Sequence, residues 1–384
     1  MAGSEARAQR RAEVYVRRTA ARRLVLFGAG VVALAAVLAS CSSGGGGAKP
    51  SNASPTRAAT LAVAPTAVSE APARPSAGCN GTAALMPGAS TQEISVGGIE
   101  RTYRRYLPDD GQEGPRPLVI NLHGLSSNAD QQAVLSAFEP LAAQEHFIVL
   151  TPQGEGKPAG WSITATASNP DIVFIKAMLD EAEATACVDT ARVYSTGLSN
   201  GGIMSALLAC EMSDRIAAVG LVSGIVHPAG CRPSRPVPMM VFWGEKDVVL
   251  PFCGGVGPIV AALIAGRPLD ATAAPTCPPA NSNGFPPVED VVGDWAASDG
   301  CGSTPAVLQA GSDVEERIFT GCGGDASIRF FVVSDGGHTW PGSKVMEALS
   351  ASPAASIIGH TTDEVDATRL IWAFFRGYAL ASPP

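Results

Sequence analysis

Val193-Tyr194-Ser195-Thr196-Gly197-Leu198-Ser199-Asn200-Gly201-Gly202-Ile203-Met204-Ser205-Ala206-Leu207-Leu208-Ala209 reads as a strand, a tight turn and a helix in direct succession. Inside the turn, Gly197-Leu198-Ser199-Asn200-Gly201 matches G-x-S-x-G, in which the serine occupies a strained elbow that lifts its hydroxyl clear of the sheet edge. Glycine is needed on either side because a Cβ there would collide with the crowded turn. In a chain with 42 glycines so short a pattern also arises by chance. The strand before it and the helix after it are what give it weight. Ser199 is therefore the candidate nucleophile.

Outward from this turn, strand-like and helix-like stretches alternate from Cys79 onward, the signature of a mostly parallel sheet with helices on both faces. The expected order begins with a hairpin, 91–96 and 101–107, around Gly97-Gly98. A buried strand at 118–122 follows, then a helix over 129–145 with Val134, Leu135, Phe138 and Leu141 inward. A strand at 147–150, a glycine-rich loop at 153–160, a helix at 170–186 with Ile172, Phe174, Ile175 and Leu179 inward, and the strand into the elbow complete the first half. The second half is read as strands at 217–222 and 237–243, an insert to about 286, a helix at 288–297, a strand at 328–333 and a closing helix at 363–378. The fold class is α/β.

A serine nucleophile needs a base, a group to orient that base, and donors for the developing oxyanion. Phe242-Trp243-Gly244-Glu245-Lys246-Asp247 sets carboxylates just past a strand's C-terminal end, where open α/β sheets gather their site residues. Asp247 is the expected orienter and Glu245 its competitor. Among the five histidines, His338 alone follows a strand within a glycine-rich turn, Ser334-Asp335-Gly336-Gly337-His338. It is the expected base, with His360, which precedes a helix, as the alternative. The chain order Ser199, Asp247, His338 is that of the α/β-hydrolases. His123-Gly124-Leu125 closes the strand before the first large helix, so the backbone N–H groups of Leu125 and Asn200 are the expected oxyanion donors.

The first 41 residues differ from the rest. Seven arginines (Arg7, Arg10, Arg11, Arg17, Arg18, Arg22 and Arg23) precede the uncharged run Leu24 to Ser40, which ends in Leu38-Ala39-Ser40-Cys41. Residues 1–41 are expected to be a lipoprotein signal peptide whose lipobox Cys41 is acylated and anchors the chain to a membrane from outside the cytoplasm. Residues 42–77, rich in Ser, Gly, Ala and Pro, are expected to be a disordered linker, and 78–384 the catalytic domain. The formal net charge is −8, and without the basic leader the rest is more acidic still, which argues against a nucleic-acid partner. Nine cysteines less Cys41 leave eight, an even number that reads as disulfides in an exported protein. No C-x-x-C or H-E-x-x-H occurs, so neither a metal site nor a cofactor is expected.

Asn121-Leu122-His123-Gly124, Gly197-Leu198-Ser199-Asn200-Gly201-Gly202 and Gly336-Gly337-His338-Thr339-Trp340-Pro341-Gly342 together resemble the secreted polyhydroxybutyrate depolymerase and feruloyl esterase group of α/β-hydrolases. Pro152-Gln153-Gly154 with Gly160-Trp161 extends the likeness, as does Trp295 ahead of Cys301. In such proteins Cys301 and Cys322 usually form one disulfide. The group often carries a histidine where Trp243 stands here.

The resemblance implies a lipid-anchored serine esterase acting on short hydroxyacyl, polyhydroxyalkanoate-type or feruloyl-type esters. An acyltransferase acting on cell-envelope sugars and a non-catalytic binding lipoprotein are the alternatives. Trp161 and Trp340, in loops after strands, are the expected substrate-binding aromatics. Neutral soluble esters are expected to be better substrates than crystalline polymer, since no polymer-binding module follows the closing helix. Topology sets Cys187, Cys210 and Cys231 toward the N-terminal edge of the sheet. The expected bridges are Cys79–Cys187 and Cys210–Cys231, with Cys253–Cys277 and Cys301–Cys322 nearer the catalytic edge.

Overall fold

In a computed structural model of the chain, residues 69, 71–81, 85–111, 113–166, 168–265 and 284–381 are described. Two units divide the chain. One takes in Met1–Thr60 and Ala261–Asp270, of which helical residues 261–265 are described; the other, Leu61–Val260 with Ala271–Pro384, contains the sheet and the candidate site. The leader with Cys41, most of the expected linker, and Cys277 lie outside the described residues.

The sheet is built from β1 (Gly88–Val96), β2 (Ile99–Leu107), β3 (Arg116–Leu122), β4 (Ile148–Pro152), β5 (Val188–Leu198), β6 (Ala218–Val222), β7 (Met239–Gly244), β8 (Ala306–Gln309), β9 (Val314–Phe319) and β10 (Ile328–Val333). Their spatial order is β1-β2-β4-β3-β5-β6-β7-β10-β9-β8. The run from β4 to β10 is parallel, and the strands outside it pair antiparallel. This is the α/β-hydrolase arrangement, with the carboxyl ends of β3, β4, β5, β6, β7 and β10 along one edge.

Alternation along each central strand divides its side chains between two cores. Leu118, Ile120 and Leu122 of β3 face one core with Met239, Val241 and Trp243 of β7, under helices Pro170–Thr185, Asn200–Glu211 and Val288–Ser298. Val119, Met240, Phe242 and Phe331 face the other, with helices Phe138–Glu145 and Ala367–Phe375. Strands covered on both faces are apolar at nearly every position, which is why they are prominent in the sequence.

Three expectations are corrected, and one hairpin is added. The helix read over 129–145 is two helices, Ala129–Ser136 and Phe138–Glu145, broken at Ala137 with φ 53° and ψ 29°. The break resets the helical phase, so Val134 is exposed while Phe138 and Leu141 stay buried. The hairpin β8–β9 was not read at all, because β8 is exposed at all four positions and carries no alternation.

Residues at the end of the expected linker are bound to the domain. The Ser69 N–H donates to Arg376 O, Arg192 Nη2 to the carbonyls of Ser69 and Ala71, the Arg74 N–H to Asp189 Oδ1, and the Ser76 N–H to Val188 O. Lastly, the structure contains disulfides Cys79–Cys187, Cys210–Cys231 and Cys301–Cys322. Cys301–Cys322 sits at the N-terminal edge, not the catalytic one. Because β9 runs antiparallel to β10, its last residue Phe319 registers with Ile328, the first of β10. The Gly323 N–H accordingly reaches Asp299 O, whose Oδ2 accepts the Val237 N–H just before β7.

Candidate active site

Ser199 stands where β5 gives way to helix Asn200–Glu211, with φ 57° and ψ −121°. Holding a non-glycine residue in so sparsely populated a region costs about 1–3 kcal/mol, so its surroundings must over-determine it. They do: the Ser199 N–H donates to Val222 O at 2.8 Å, and its carbonyl accepts the Ile203 N–H at 2.9 Å. A Cβ on Gly201 would lie 2.2 Å from Leu122 O, and one on Gly197 would lie 2.5 Å from the Gly201 carbonyl carbon. Only hydrogens fit where β3, β5 and the helix start converge.

Asp247 follows β7 by three residues and is wholly buried. Its Oδ1 accepts the amides of Val249 and Leu250, each at 2.8 Å, and its Oδ2 accepts Nδ1–H of His338 at 2.7 Å. With the proton on Nδ1, Nε2 of His338 keeps a free lone pair. Glu245, the competing carboxylate, is solvent-exposed. His360, the alternative base, is half-exposed and has Asp313 Oδ2 at 4.0 Å. Its contribution to this region is its carbonyl, which accepts the Gly337 N–H at 2.9 Å and braces the turn that carries His338.

No hydrogen bond joins Ser199 Oγ to His338 among the described residues. Their loops are linked instead through the turn after β6, where Ser223 Oγ donates to Thr339 O at 3.5 Å and the Ser223 N–H donates to Phe242 O at 2.9 Å. Nucleophile–base contacts of this kind commonly tighten only when substrate is bound.

Neither the Leu125 nor the Asn200 amide donates to another group of the described residues, so both are available to an incoming oxygen. Beneath Leu125, the buried His123 ring donates from Nδ1 to Gly124 O at 2.8 Å and accepts the Gly154 N–H at Nε2 at 2.9 Å. That pattern requires a neutral ring. Burial also drives its pKa below the ordinary imidazole value, against the opposing hydrogen bond to Gly124.

The two tryptophans expected to contact substrate are framework residues. Trp340 is fully buried in the second core, edge-on to Phe138 at 6.2 Å, with its indole N–H donating to Thr368 Oγ1 at 2.9 Å. Trp161 is 5% exposed, and its indole N–H donates to His123 O at 2.8 Å. Sequence does not distinguish a loop indole that fills a core from one that lines a cleft. Trp243, which the sequence marked only as a departure from the group, is 4% exposed and packs in the first core with Ile225, Leu250, Val288 and Val291, its indole N–H donating to Leu250 O at 3.1 Å. Sequence reasoning also missed the side chain of Asn200, which clasps the Trp161 backbone at 2.6 and 3.1 Å.

A family model described as esterase PHB depolymerase matches residues 101–240. Feruloyl esterase B of Piromyces equi is 30% identical over 230 residues, covering 58% of this chain and 39% of that protein's own length. Probable feruloyl esterase C of Aspergillus clavatus is 35% identical over 207 residues, covering 52% of this chain and 70% of the relative. Among solved structures, an acetyl xylan esterase from Aspergillus awamori has a TM-score of 0.47 at 15% identity, covering 68% of this chain and 98% of that one.

Proposed function

Since the chain belongs to the esterase family of the PHB depolymerases and feruloyl esterases, we propose that it hydrolyses carboxylic esters through Ser199, His338 and Asp247. Nε2 of His338 takes the Ser199 hydroxyl proton as Oγ attacks the ester carbonyl. The tetrahedral oxyanion is received by the backbone N–H groups of Leu125 and Asn200. His338 passes the proton to the departing alcohol, and water, activated by the same imidazole, then releases the acid from Ser199. Asp247 keeps the imidazole in the tautomer with Nδ1 protonated and steadies the imidazolium. No step calls for a metal or cofactor.

The observation that carries this reading is the backbone of Ser199, held at φ 57° and ψ −121° at the head of a helix. Ser223 after β6 also has a positive φ, 47°, but only Ser199 stands on a strand-to-helix elbow with Gly197 and Gly201 pressed against neighbouring backbone. The acidic chain disfavours anionic esters. Neutral soluble esters, short-chain or hydroxycinnamoyl, are the substrate class that fits this charge.

The protein works outside the cytoplasm, held to a membrane through acylated Cys41 by the segment that follows; the disulfides Cys79–Cys187, Cys210–Cys231 and Cys301–Cys322 among the described residues support export. The test of the activity is labelling with a fluorophosphonate probe alongside turnover of p-nitrophenyl acetate. Wild-type protein should be labelled at Ser199 and turn over the ester, and Ser199→Ala should do neither. Turnover of Ser199→Ala within tenfold of wild type would sink the assignment.

A further inference from the structure

Of the two amides expected to receive the oxyanion, that of Leu125 belongs to the loop after β3. In a trans peptide the C=O of one residue and the N–H of the next point in opposite directions, so fixing the Gly124 carbonyl fixes where the Leu125 N–H points. The His123 ring fixes it through its Nδ1–H bond to Gly124 O at 2.8 Å together with the Ser127 N–H at 3.1 Å, and the Gly154 N–H holds the ring in turn. The other amide, that of Asn200, opens the helix after Ser199.

A single residue connects the two halves. The Trp161 indole N–H donates to His123 O at 2.8 Å, and its ring lies against the imidazole at a centroid separation of 4.9 Å. On its other side, the Trp161 N–H donates to Asn200 Oδ1 at 2.6 Å, and Asn200 Nδ2 donates back to Trp161 O at 3.1 Å. The preceding residue sits in the gap. A Cβ on Gly160 would lie 2.7 Å from Leu125 Cδ1 and 2.8 Å from Asn200 Oδ1. The strut is itself anchored, since the Gly160 N–H donates to Glu155 O at 2.9 Å and Ala159 O accepts the Ser126 N–H at 2.7 Å.

We propose that Trp161 is a positioning residue that couples the two oxyanion-hole amides, and that Gly160 sets the distance between them. The inference rests on the esterase reading above and deepens it, giving the loop after β4 a role in catalysis although it carries none of the reacting groups. Losing an oxyanion donor outright costs about 10²–10³ in kcat. A donor that is displaced and not lost should cost about 10–100-fold, appearing in kcat and not in KM because the ground-state carbonyl depends little on it.

The test uses Trp161→Phe, which keeps an aromatic ring against His123 but removes the indole donor, Asn200→Ala, which keeps the backbone amide but releases Trp161, and the double variant. Kinetics on p-nitrophenyl acetate are normalised to sites titrated with a fluorophosphonate, so that partial unfolding does not count as lost catalysis. Each single variant should lower kcat per titrated site about 10–100-fold with KM within about twofold, and the double should lose far less than the product of the two, because both act through one strut. Gly160→Ala should show the same split, and it decides the matter with Asn200→Ala should Trp161→Phe fail to fold. Single variants within twofold of wild type in kcat, losses confined to KM, or losses that multiply in the double variant would each overturn the proposal. A wild-type protein that neither turns over ester nor is phosphonylated at Ser199 removes the esterase reading and this proposal together.

Discussion

Asp247 meets three N–H groups with its two oxygens, and the consequence of replacing it follows from which atom faces which. In Asp247→Asn the amide oxygen still accepts Val249 and Leu250, but the NH₂ then faces Nδ1 of His338. The imidazole has to turn an acceptor toward it and carry its proton on Nε2, where it is useless to Ser199. The expected loss is about 10⁴ in kcat with the fold intact. Glu245→Gln, at an exposed position, should stay within about twofold. Steady-state kinetics on the pair checks the choice, and the reverse ranking would hand the role to Glu245. Serine, aspartate and histidine were legible because each follows a strand's carboxyl end, a relation that sequence periodicity exposes. The ring of His123 and the side chain of Asn200 were not, since Gly154 and Trp161, which hold them, meet them through backbone atoms more than 30 residues away and no pattern of residue types records that.

Periodicity carried most elements and failed where a local backbone state interrupts it. Strand β10 and the helix Pro170–Thr185 came out nearly whole because their apolar positions repeat without a break. Ala137 marks the failure: it holds φ 53° with a Cβ, a left-handed conformation that alanine rarely adopts and no apolar pattern signals. Ala137→Gly should therefore raise stability by about 1 kcal/mol, read as a higher denaturation midpoint at unchanged activity. A lower midpoint would mean that the freedom glycine adds to the unfolded chain outweighs the strain it relieves. Missing β8 and β9 had a larger effect, since the antiparallel turn-back of β9 is what carries Cys322 to the edge away from the site.

Across the whole molecule, one buried carboxyl ties pH to stability. Asp299 ends the helix Val288–Ser298, accepts the Val237 N–H with Oδ2, and leaves Oδ1 without a partner among the described residues. Burial pushes its pKa up to about 7, against the Val237 amide and the nearby Arg235 guanidinium. The folded protein thus holds this proton more tightly than the unfolded chain, whose value is near 3.8. Its contribution to stability is full below that value, is lost as pH rises toward about 7, and levels off above. Asp299→Asn cannot ionise and still accepts the Val237 amide, so its Tm should fall less than that of wild type between pH 5 and pH 8. An equal fall would place the linkage elsewhere.

The Cys79–Cys187 bridge acts at the same scale. It closes a loop of 108 residues, and replacing both cysteines by serine should lower stability by about 3–5 kcal/mol while leaving kcat of the folded fraction unchanged. Thermal unfolding and active-site titration together separate the two effects. The same bridge has a mechanical meaning. A pull applied through Ser69 meets the hydrogen bonds of residues 69–76 first and then a covalent link to Cys187, at the foot of β5. Ser199 is at the other end of that 11-residue strand, about 35 Å along it, so a pull entering through Ser69 is grounded in the sheet before it reaches the elbow.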